Sequence, residues 1–290
     1  SSETLSEVVV VGYGTAKKSD ITGSLVRVDE KSLREVPVAN LTQWLQGRAA
    51  GVDINTTSSR PGAGAQIRIR GNRSLTGSND PLIVVDGIPF NGDINDLNPS
   101  DIVSLDVLKD ASATAIYGSR GSNGVILVST RRGRTGKAQL FYDGYYGVAS
   151  AVGKYKLNNG PEFDAFRTEA RAAGAAYTPT ADEAANLAAG KQTDWQDEMY
   201  KNGYITSHSL GVSGGTEQTQ YALSGGYFKQ TTVLPGQRFT RYSVNAVIDQ
   251  KIGERIKVGL NTMNSLNVND GENANFMFQL LTLSPLYNAY

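Results

Sequence analysis

The sequence predicts two successive architectures: an α+β domain with a small mixed sheet and short helices, and then a series of antiparallel strands. Asp101–Thr130 predicts the first, because two strand-like segments flank a turn with three glycines in seven residues. Glycine permits positive φ and a close approach of the backbone to other groups, so this spacing indicates a tight turn. After residue 137, five segments of about ten residues alternate apolar and polar side chains, which predicts the strands.

Composition narrows the possible functions. Lys and Arg number 28 and so do Asp and Glu, so no net charge attracts nucleic acid. The chain has no cysteine, which removes disulfides, zinc thiolates and cysteine nucleophiles. Its one histidine, His208, argues against a metalloenzyme or a catalytic triad. No segment approaches the ~18 consecutive apolar residues of a membrane-spanning helix.

The first element is the run of four valines at Val8–Val11, which glycines stop at Gly12 and Gly14. One interpretation is a buried first strand. The other is an exposed edge segment that a partner captures by adding a strand, with main-chain hydrogen bonds supplying the affinity. The residues alone leave both open.

The next elements complete the first domain. Helical spacing of Leu41, Trp44, Leu45 and Arg48 predicts a short helix that Asn40 caps and Gly51 ends. Strands are predicted at Gln66–Arg70, with Ile67 and Ile69 on one face and Arg68 and Arg70 on the other, and at Leu82–Asp86, Val103–Leu108 and Val125–Thr130. The basic, glycine-rich residues 131–137 predict the domain boundary.

The five alternating strands are predicted at Ala138–Val148, Ile205–Gly214, Gln220–Gln230, Tyr242–Gln250 and Ile256–Thr262. Their lengths suit the roughly 9–11 residues of a tilted transmembrane strand. Short turns link most of them, whereas Tyr155–Gly203 is long and predicts helices at Pro161–Gly174 and near Asp194–Tyr200. Many tyrosines favour a membrane interface. A soluble β-sandwich would alternate in the same way, so the pattern alone does not choose between them.

Several stretches together resemble a known family. They are VVVVGYGT (Val8–Thr15), LQGRAAGV (Leu45–Val52), IRIRG (Ile67–Gly71), PLIVVDGIP (Pro81–Pro89) and VLKDASATAIYGSRGSNGVILVST (Val107–Thr130). In this order and spacing the chain resembles the SusC/RagA class of TonB-dependent outer-membrane transporters, typical of Bacteroidota. The resemblance implies an α+β plug domain followed by antiparallel strands of a transmembrane β-barrel. Such a barrel has about 22 strands, so the barrel is incomplete in this chain. We expect the N-terminal portion of a larger protein.

The resemblance also implies roles. Residues 1–15 would hold the periplasmic TonB box, formed by Val8, Val9, Val10, Val11, Gly12, Tyr13, Gly14 and Thr15. Residues 16–135 would be the plug and residues 136–290 the first five barrel strands. Substrate would meet plug loops, for which Arg73, Ser74, Asn79 and Arg120 supply donors. Arg68 and Arg70 would contact the barrel, or else be solvated.

The function implied is TonB-dependent import of an oligosaccharide, less often an oligopeptide, across the outer membrane. The implied partners are TonB with its energising complex, a SusD-like surface lipoprotein, and outer-membrane lipid, in a dimer of transporter–lipoprotein pairs. No cofactor, metal, nucleic acid or catalytic residue is expected. The alternatives are a siderophore or cobalamin receptor of the TonB-dependent type, and a soluble β-rich carbohydrate-binding or adhesin module.

Two motifs are expected to carry no chemistry. Gly211–Gly215 fits the G-x-S-x-G pattern, but a nucleophile elbow needs a strand-to-helix turn and a histidine partner, and here a strand runs into a hairpin. Asn267–Glu272 hints at an oxygen-rich calcium loop, for which a solvated loop is the simpler interpretation.

Overall fold

The computed structural model describes residues 8–11, 14–17, 25–29, 40–56, 58, 60–72, 74–75, 77–109, 115–271 and 276–289. The strands before residue 30 are described by their backbone alone. The chain packs as two units: Ser1–Tyr146 with Thr206–Gln230 and Phe239–Asn269, and Gly147–Ile205 with Thr231–Arg238 and Asp270–Tyr290.

The first unit begins with nine short strands. They are β1 (Val8–Val11), β2 (Gly14–Lys17), β3 (Leu25–Asp29), β4 (Val52–Thr56), β5 (Ala65–Ile69), β6 (Leu82–Val85), β7 (Ile88–Phe90), β8 (Ile102–Leu108) and β9 (Val125–Thr130). A mixed sheet has the order β3-β8-β9-β6-β7, in which β6 and β9 are parallel. Separate two-stranded sheets pair β1 with β2 and β4 with β5. The predicted small mixed sheet is therefore confirmed.

The core lies on both faces of β8 and β9. Leu105, Val107, Ile126 and Val128 pack in one cluster with Trp44 of helix α1 (Leu41–Leu45). Leu108, Val125 and Leu127 pack on the opposite face with Val84. Strands buried on both faces read as continuous apolar runs, as the sequence of β9 does.

Two details of the helix prediction were wrong. The helix ends at Leu45, before Arg48 and Gly51. Asn40 holds the N-cap position of α1, but its side chain makes no capping hydrogen bond. Its amide instead donates to the carbonyl of Ala63, at 3.3 Å. The Asn40 side chain therefore binds the neighbouring segment at Ala63 and does not cap the helix.

The five later strands, here called the wall strands, are β10 (Gly136–Ala149), β11 (Gly203–Gly215), β12 (Thr219–Thr231), β13 (Arg238–Ile252) and β14 (Ile256–Asp270). They form one sheet in chain order. Short turns join β11 to β12, β12 to β13 and β13 to β14, so these neighbours are antiparallel, whereas residues 150–202 connect β10 to β11. All five predicted strands are confirmed, and each is longer than predicted.

The wall strands bury polar residues and expose apolar ones. In β13, Tyr242 and Val244 are 50% and 53% exposed, whereas Arg241 and Asn245 are 2% and 4% exposed. A soluble sandwich would bury the apolar face, so this pattern contradicts that alternative. It is the alternation of a barrel strand with an apolar outer surface and a polar interior.

The second unit, here called the helical lobe, carries α2 (Gly160–Ala172), α3 (Ala181–Ala188), α4 (Trp195–Met199) and α5 (Phe276–Thr282). Helices α2 and α4 were predicted, and α3 and α5 were not. Hydrogen bonds from side chains to backbone groups connect separate segments of the lobe. The Trp195 indole donates to the Ser284 carbonyl at 2.9 Å, and the Gln196 amide bonds both the N–H and the carbonyl of Tyr155. None of the helices among the described residues is long and apolar enough to cross a membrane.

The packing units do not follow the predicted domain limits of residues 15 and 135, since the wall strands contribute to both units. The division into residues 1–15, 16–135 and 136–290 stays a prediction about function.

Candidate functional site

Two loops meet at one end of the mixed sheet. The parallel strands β6 and β9 both begin there, after residues 71–81 and the glycine turn at 118–124. The Asn123 amide donates to the Ser78 carbonyl at 2.9 Å, and the Leu82 N–H donates to the Gly124 carbonyl at 3.0 Å. This end, here called the apex, is opposite Thr130, from which the chain leaves for the wall strands.

Gly124 makes the apex turn possible. Its φ is +94°, a region that L side chains rarely adopt, and a Cβ there would lie 2.7 Å from Cδ1 of the buried Ile69. The opening prediction that glycines supply the geometry of this segment is confirmed at Gly124 and at Gly118, where φ is +60°.

The apex also holds three of the four predicted substrate residues, Ser74, Asn79 and Arg120. Arg73 lies outside the described residues. Ser74 and Asn79 close the loop on each other: the Ser74 N–H donates to the Asn79 side-chain oxygen and the Asn79 amide donates to the Ser74 carbonyl, both at 2.8 Å. Arg120 donates to the Asn91 side chain at 3.1 Å. The substrate role of all four stays a prediction.

A cavity of about 760 Å³ opens beside these loops. Arg120 lines it with residues that the sequence did not single out: Gln66, Ser78, Asp80, Phe90, Asn91 and Asp93. An aromatic ring with amides and carboxylates provides both stacking and hydrogen bonding for a polar ligand. Three of these residues follow or end β7, a strand too short to be noticed by alternation.

The predicted barrel-contacting arginines behave differently from each other. Arg68 pairs with Asp80 at 2.5 Å and donates to Asn72 at 3.1 Å, both in the same domain. The pKa of Asp80 is lowered. The hydrogen bond from the Ser78 side chain lowers it most, burial acts in the opposite direction, and the Arg68 guanidinium lowers it further. Arg70 lies just after β5 with φ +59°, so it does not continue the strand. Barrel contact by either residue stays a prediction.

Polar side chains join the first domain to the wall strands, and this set of contacts is here called the seam. The buried Arg241 donates to the Asn95 carbonyl at 2.9 Å. Further bonds run from wall strands to domain carboxylates: Ser224 to Asp101 at 2.6 Å, Asn261 to Asp86 at 2.9 Å and Asn267 to Asp96 at 2.5 Å. Sequence reasoning missed the seam, because its partners are more than 100 residues apart.

Asp101 is the most buried carboxyl of the seam. Burial raises its pKa, against the hydrogen bond from Ser224 and the charges of Arg131 and Arg241. A cavity of about 420 Å³ borders it and is lined by Asn98, Asn245 and other polar residues. The Asn245 side-chain oxygen is buried without a hydrogen bond to the described residues. A cavity of this size and polarity suits water.

The valine run forms a hairpin of its own. In the β1–β2 sheet, Val8 pairs with Lys17 and Val11 with Gly14. Gly12 and Tyr13 lie outside the described residues. Among the described strands β1 has one neighbour, so its other edge is open to a further strand. This favours the edge-segment interpretation over a strand inside the mixed sheet.

The G-x-S-x-G motif and the single histidine both lie in wall strand β11. Gly211–Gly215 lies within β11 and enters a hairpin, not a helix. His208 is exposed, and its Nδ1 lies 2.7 Å from the Tyr142 hydroxyl. Within the described residues no three His, Cys, Asp or Glu side chains are grouped to hold a metal ion.

Comparisons with known proteins agree with this architecture. A family model described as the TonB-dependent receptor plug domain matches residues 17–125. TonB-dependent receptor P3 of Formosa agariphila is 42% identical over 269 residues, which is 92% of this chain and 25% of that protein. TonB-dependent receptor SusC of Bacteroides thetaiotaomicron is 37% identical over 252 residues, 84% of this chain and 24% of that protein.

A solved structure is similar over nearly the whole chain. The RagAB peptide importer in its open-open state matches with a TM-score of 0.85 and 30% identity, covering 98% of this chain and 35% of that one. The chain spans about a quarter of the length of the curated relatives it matches. These relatives indicate the outer membrane as its location. The first domain is thus a plug domain, and the chain belongs to the SusC/RagA-type TonB-dependent transporters.

Proposed function

We propose that the protein takes part in TonB-dependent import of an oligosaccharide or oligopeptide across the outer membrane, without chemistry on the substrate. The observation that carries this proposal is the seam. A domain held against strands with an apolar outer face by separate polar side chains suits a plug that blocks a pore and can be released.

The coupling to energy would use Val8–Thr15 as the TonB box. The open edge of β1 supports this role, because strand addition gives a firm grip through main-chain hydrogen bonds without a deep pocket. Pulling on this segment would be transmitted to the plug. The hydrogen bonds of the seam can break singly, so local opening does not require unfolding of the apolar core of β8 and β9.

Substrate would bind first at the apex. The cavity beside Arg120 supports this, as does the loop that Ser74 and Asn79 close by their mutual hydrogen bonds. Arg68 would position Asp80 at the edge of the cavity, through their ion pair. Arg70 would serve the contact with the barrel.

The relatives support the substrate classes and the partner. One is named for a peptide importer of two components, RagAB, and another is SusC. By analogy, this transporter would work with a SusD-like lipoprotein in a dimer of pairs. A siderophore receptor is the second candidate. It is less well supported, because the proteins that share 30% and 42% identity with this chain are the RagAB peptide importer and TonB-dependent receptor P3.

A single substitution in β1 tests the mechanism. Val10→Pro removes a backbone donor from the proposed TonB box, whereas Val10→Thr keeps the donor and the strand preference. In cells that express the protein, we expect Val10→Pro to abolish uptake of a labelled substrate with surface binding unchanged, and Val10→Thr to keep both. Uptake by Val10→Pro at the unsubstituted level would refute the TonB-box role.

A further inference from the structure

The helical lobe contains a cleft that the import mechanism does not use. Its volume is about 800 Å³, within the range of ligand pockets. One wall is the face of α2 that carries Phe163, Phe166 and Arg167, at helical spacing. The opposite side comes from residues 155–159, 192–196 and 281–285.

An arginine is held in place inside this cleft. The Arg167 guanidinium carbon lies 4.8 Å from the ring centre of Phe163 and 4.4 Å from that of Tyr177. Stacking on two rings fixes the plane of the guanidinium and leaves its edge for hydrogen bonds. A planar fork of this kind matches a carboxylate, and Lys156 adds a second positive charge to the lining. The one carboxylate among the described lining residues, Asp194, accepts hydrogen bonds from two backbone N–H groups at the start of α4.

Aromatic and amide groups complete the lining. Phe166 is 59% exposed although it lies on a helix, so its ring is open to a ligand. Trp195 is fixed by its hydrogen bond to Ser284, and the Gln192 side-chain oxygen accepts from the Gly160 N–H at 2.9 Å. Apolar ring faces beside amides suit sugar rings, which present C–H surfaces and hydroxyls. The lining residues lie on helices and loops, so the cleft offers no strand edge to an extended peptide.

We propose that this cleft is a binding site for an oligosaccharide that carries carboxylate groups. Arg167 binds the carboxylate, and Phe166 and Trp195 stack on the sugar rings. The site rests on the proposed import function and adds to it a substrate class, acidic glycans. Binding itself is measured without transport, so the two proposals can fail separately.

The test is calorimetric binding of tetragalacturonate to the purified protein in detergent, with neutral maltotetraose and tetraglutamate as comparison ligands. We expect tetragalacturonate alone to bind, and added NaCl to weaken it. Arg167→Gln should weaken binding by about tenfold or more, since it removes a charge-assisted hydrogen bond. The matched control Arg171→Gln, on an exposed turn of the same helix and outside the cleft lining, should bind normally.

Phe166→Ala guards against a folding artefact, because an exposed ring can be removed with little effect on stability. It should weaken binding with an unchanged melting temperature. Absence of tetragalacturonate binding, equal affinity of Arg167→Gln, or preference for tetraglutamate would each overturn the site. Tetragalacturonate binding that survives in Val10→Pro, while its uptake stops, supports the site and import together. Uptake of another substrate without tetragalacturonate binding overturns the site alone.

Discussion

Replacing Arg241 with methionine should loosen the seam while leaving the wall strand intact. Methionine keeps much of the arginine's length and apolar contact but cannot donate to the Asn95 carbonyl. The substitution also removes one of the two positive charges that face the buried Asp101. Hydrogen bonds to charged groups contribute about 1.5–3 kcal/mol. Removing a nearby positive charge from a buried carboxyl adds to this, by less than the roughly 3–5 kcal/mol lost when a direct buried ion pair is broken. Since Arg131 remains beside Asp101, we expect seam opening to become easier by about 2–4 kcal/mol.

Hydrogen exchange measures this opening directly. At about 1.4 kcal/mol per decade, backbone amides of residues 94–101 should exchange roughly 30- to 1,000-fold faster in Arg241→Met. Arg238→Met is the matched control, because Arg238 lies on the same strand and forms an exposed pair with Asp270, of a kind that contributes little. Exchange of residues 94–101 that is equal in the two variants would refute the view that Arg241 holds the plug.

Three further predictions concern particular contacts. Asp101→Asn should remove one contribution to the pH dependence: the raised pKa of Asp101 means that the folded state binds its proton more tightly, so the melting temperature of the unsubstituted protein should rise relative to that of Asp101→Asn as pH falls from the raised pKa toward 3.8. Gly133→Ala should lower the melting temperature, because its Cβ would lie 2.3 Å from the Tyr221 nitrogen, at a cost of about 1–3 kcal/mol or more. Gln196→Ala should destabilise the helical lobe by about 1–3 kcal/mol, since two backbone groups lose their partner, as protease sensitivity of residues 150–202 will report.

Each of the three has a result that would contradict it. Parallel pH profiles for Asp101→Asn and the unsubstituted protein would remove Asp101 as the source of the dependence. Gly153→Ala, where a Cβ meets nothing within 4 Å, is the control for Gly133→Ala, and equal melting temperatures would refute the steric argument. Unaltered protease sensitivity in Gln196→Ala would show that the lobe does not depend on this amide.

The wall strands were predictable because each has an apolar face and a polar face. Apolar and polar residues therefore alternate along the sequence with a period of two. The predictions ended too early where that period is interrupted. In β14 the outward apolar series Ile256, Val258 and Leu260 reaches Asn264 before resuming at Leu266, and the strand continues to Asp270. Backbone hydrogen bonds continue the strand through this interruption, and the side-chain pattern does not reveal them.

Helix α3 was missed because it is short and alanine-rich, and Leu187 is its one large apolar residue. A signal was present all the same: Thr180 and Glu183 form a capping box, recognisable as a threonine with glutamate three residues later. The seam and the lobe cleft could not have been predicted in this way. Arg241 meets Asn95 across 146 residues, and no local period records such a pairing.

The polar character of the seam has a thermodynamic consequence. The heat capacity of a protein rises when apolar surface enters water and falls when polar surface does. Release of the plug from Arg241, Ser224 and Asn261 would hydrate mainly polar atoms, some of which already border a polar cavity. The heat-capacity change of release should therefore be small or negative, so the free energy of release should lack the dome-shaped temperature dependence of unfolding. Separation of the plug from the wall strands should therefore not become easier on cooling, as exposure of an apolar core does.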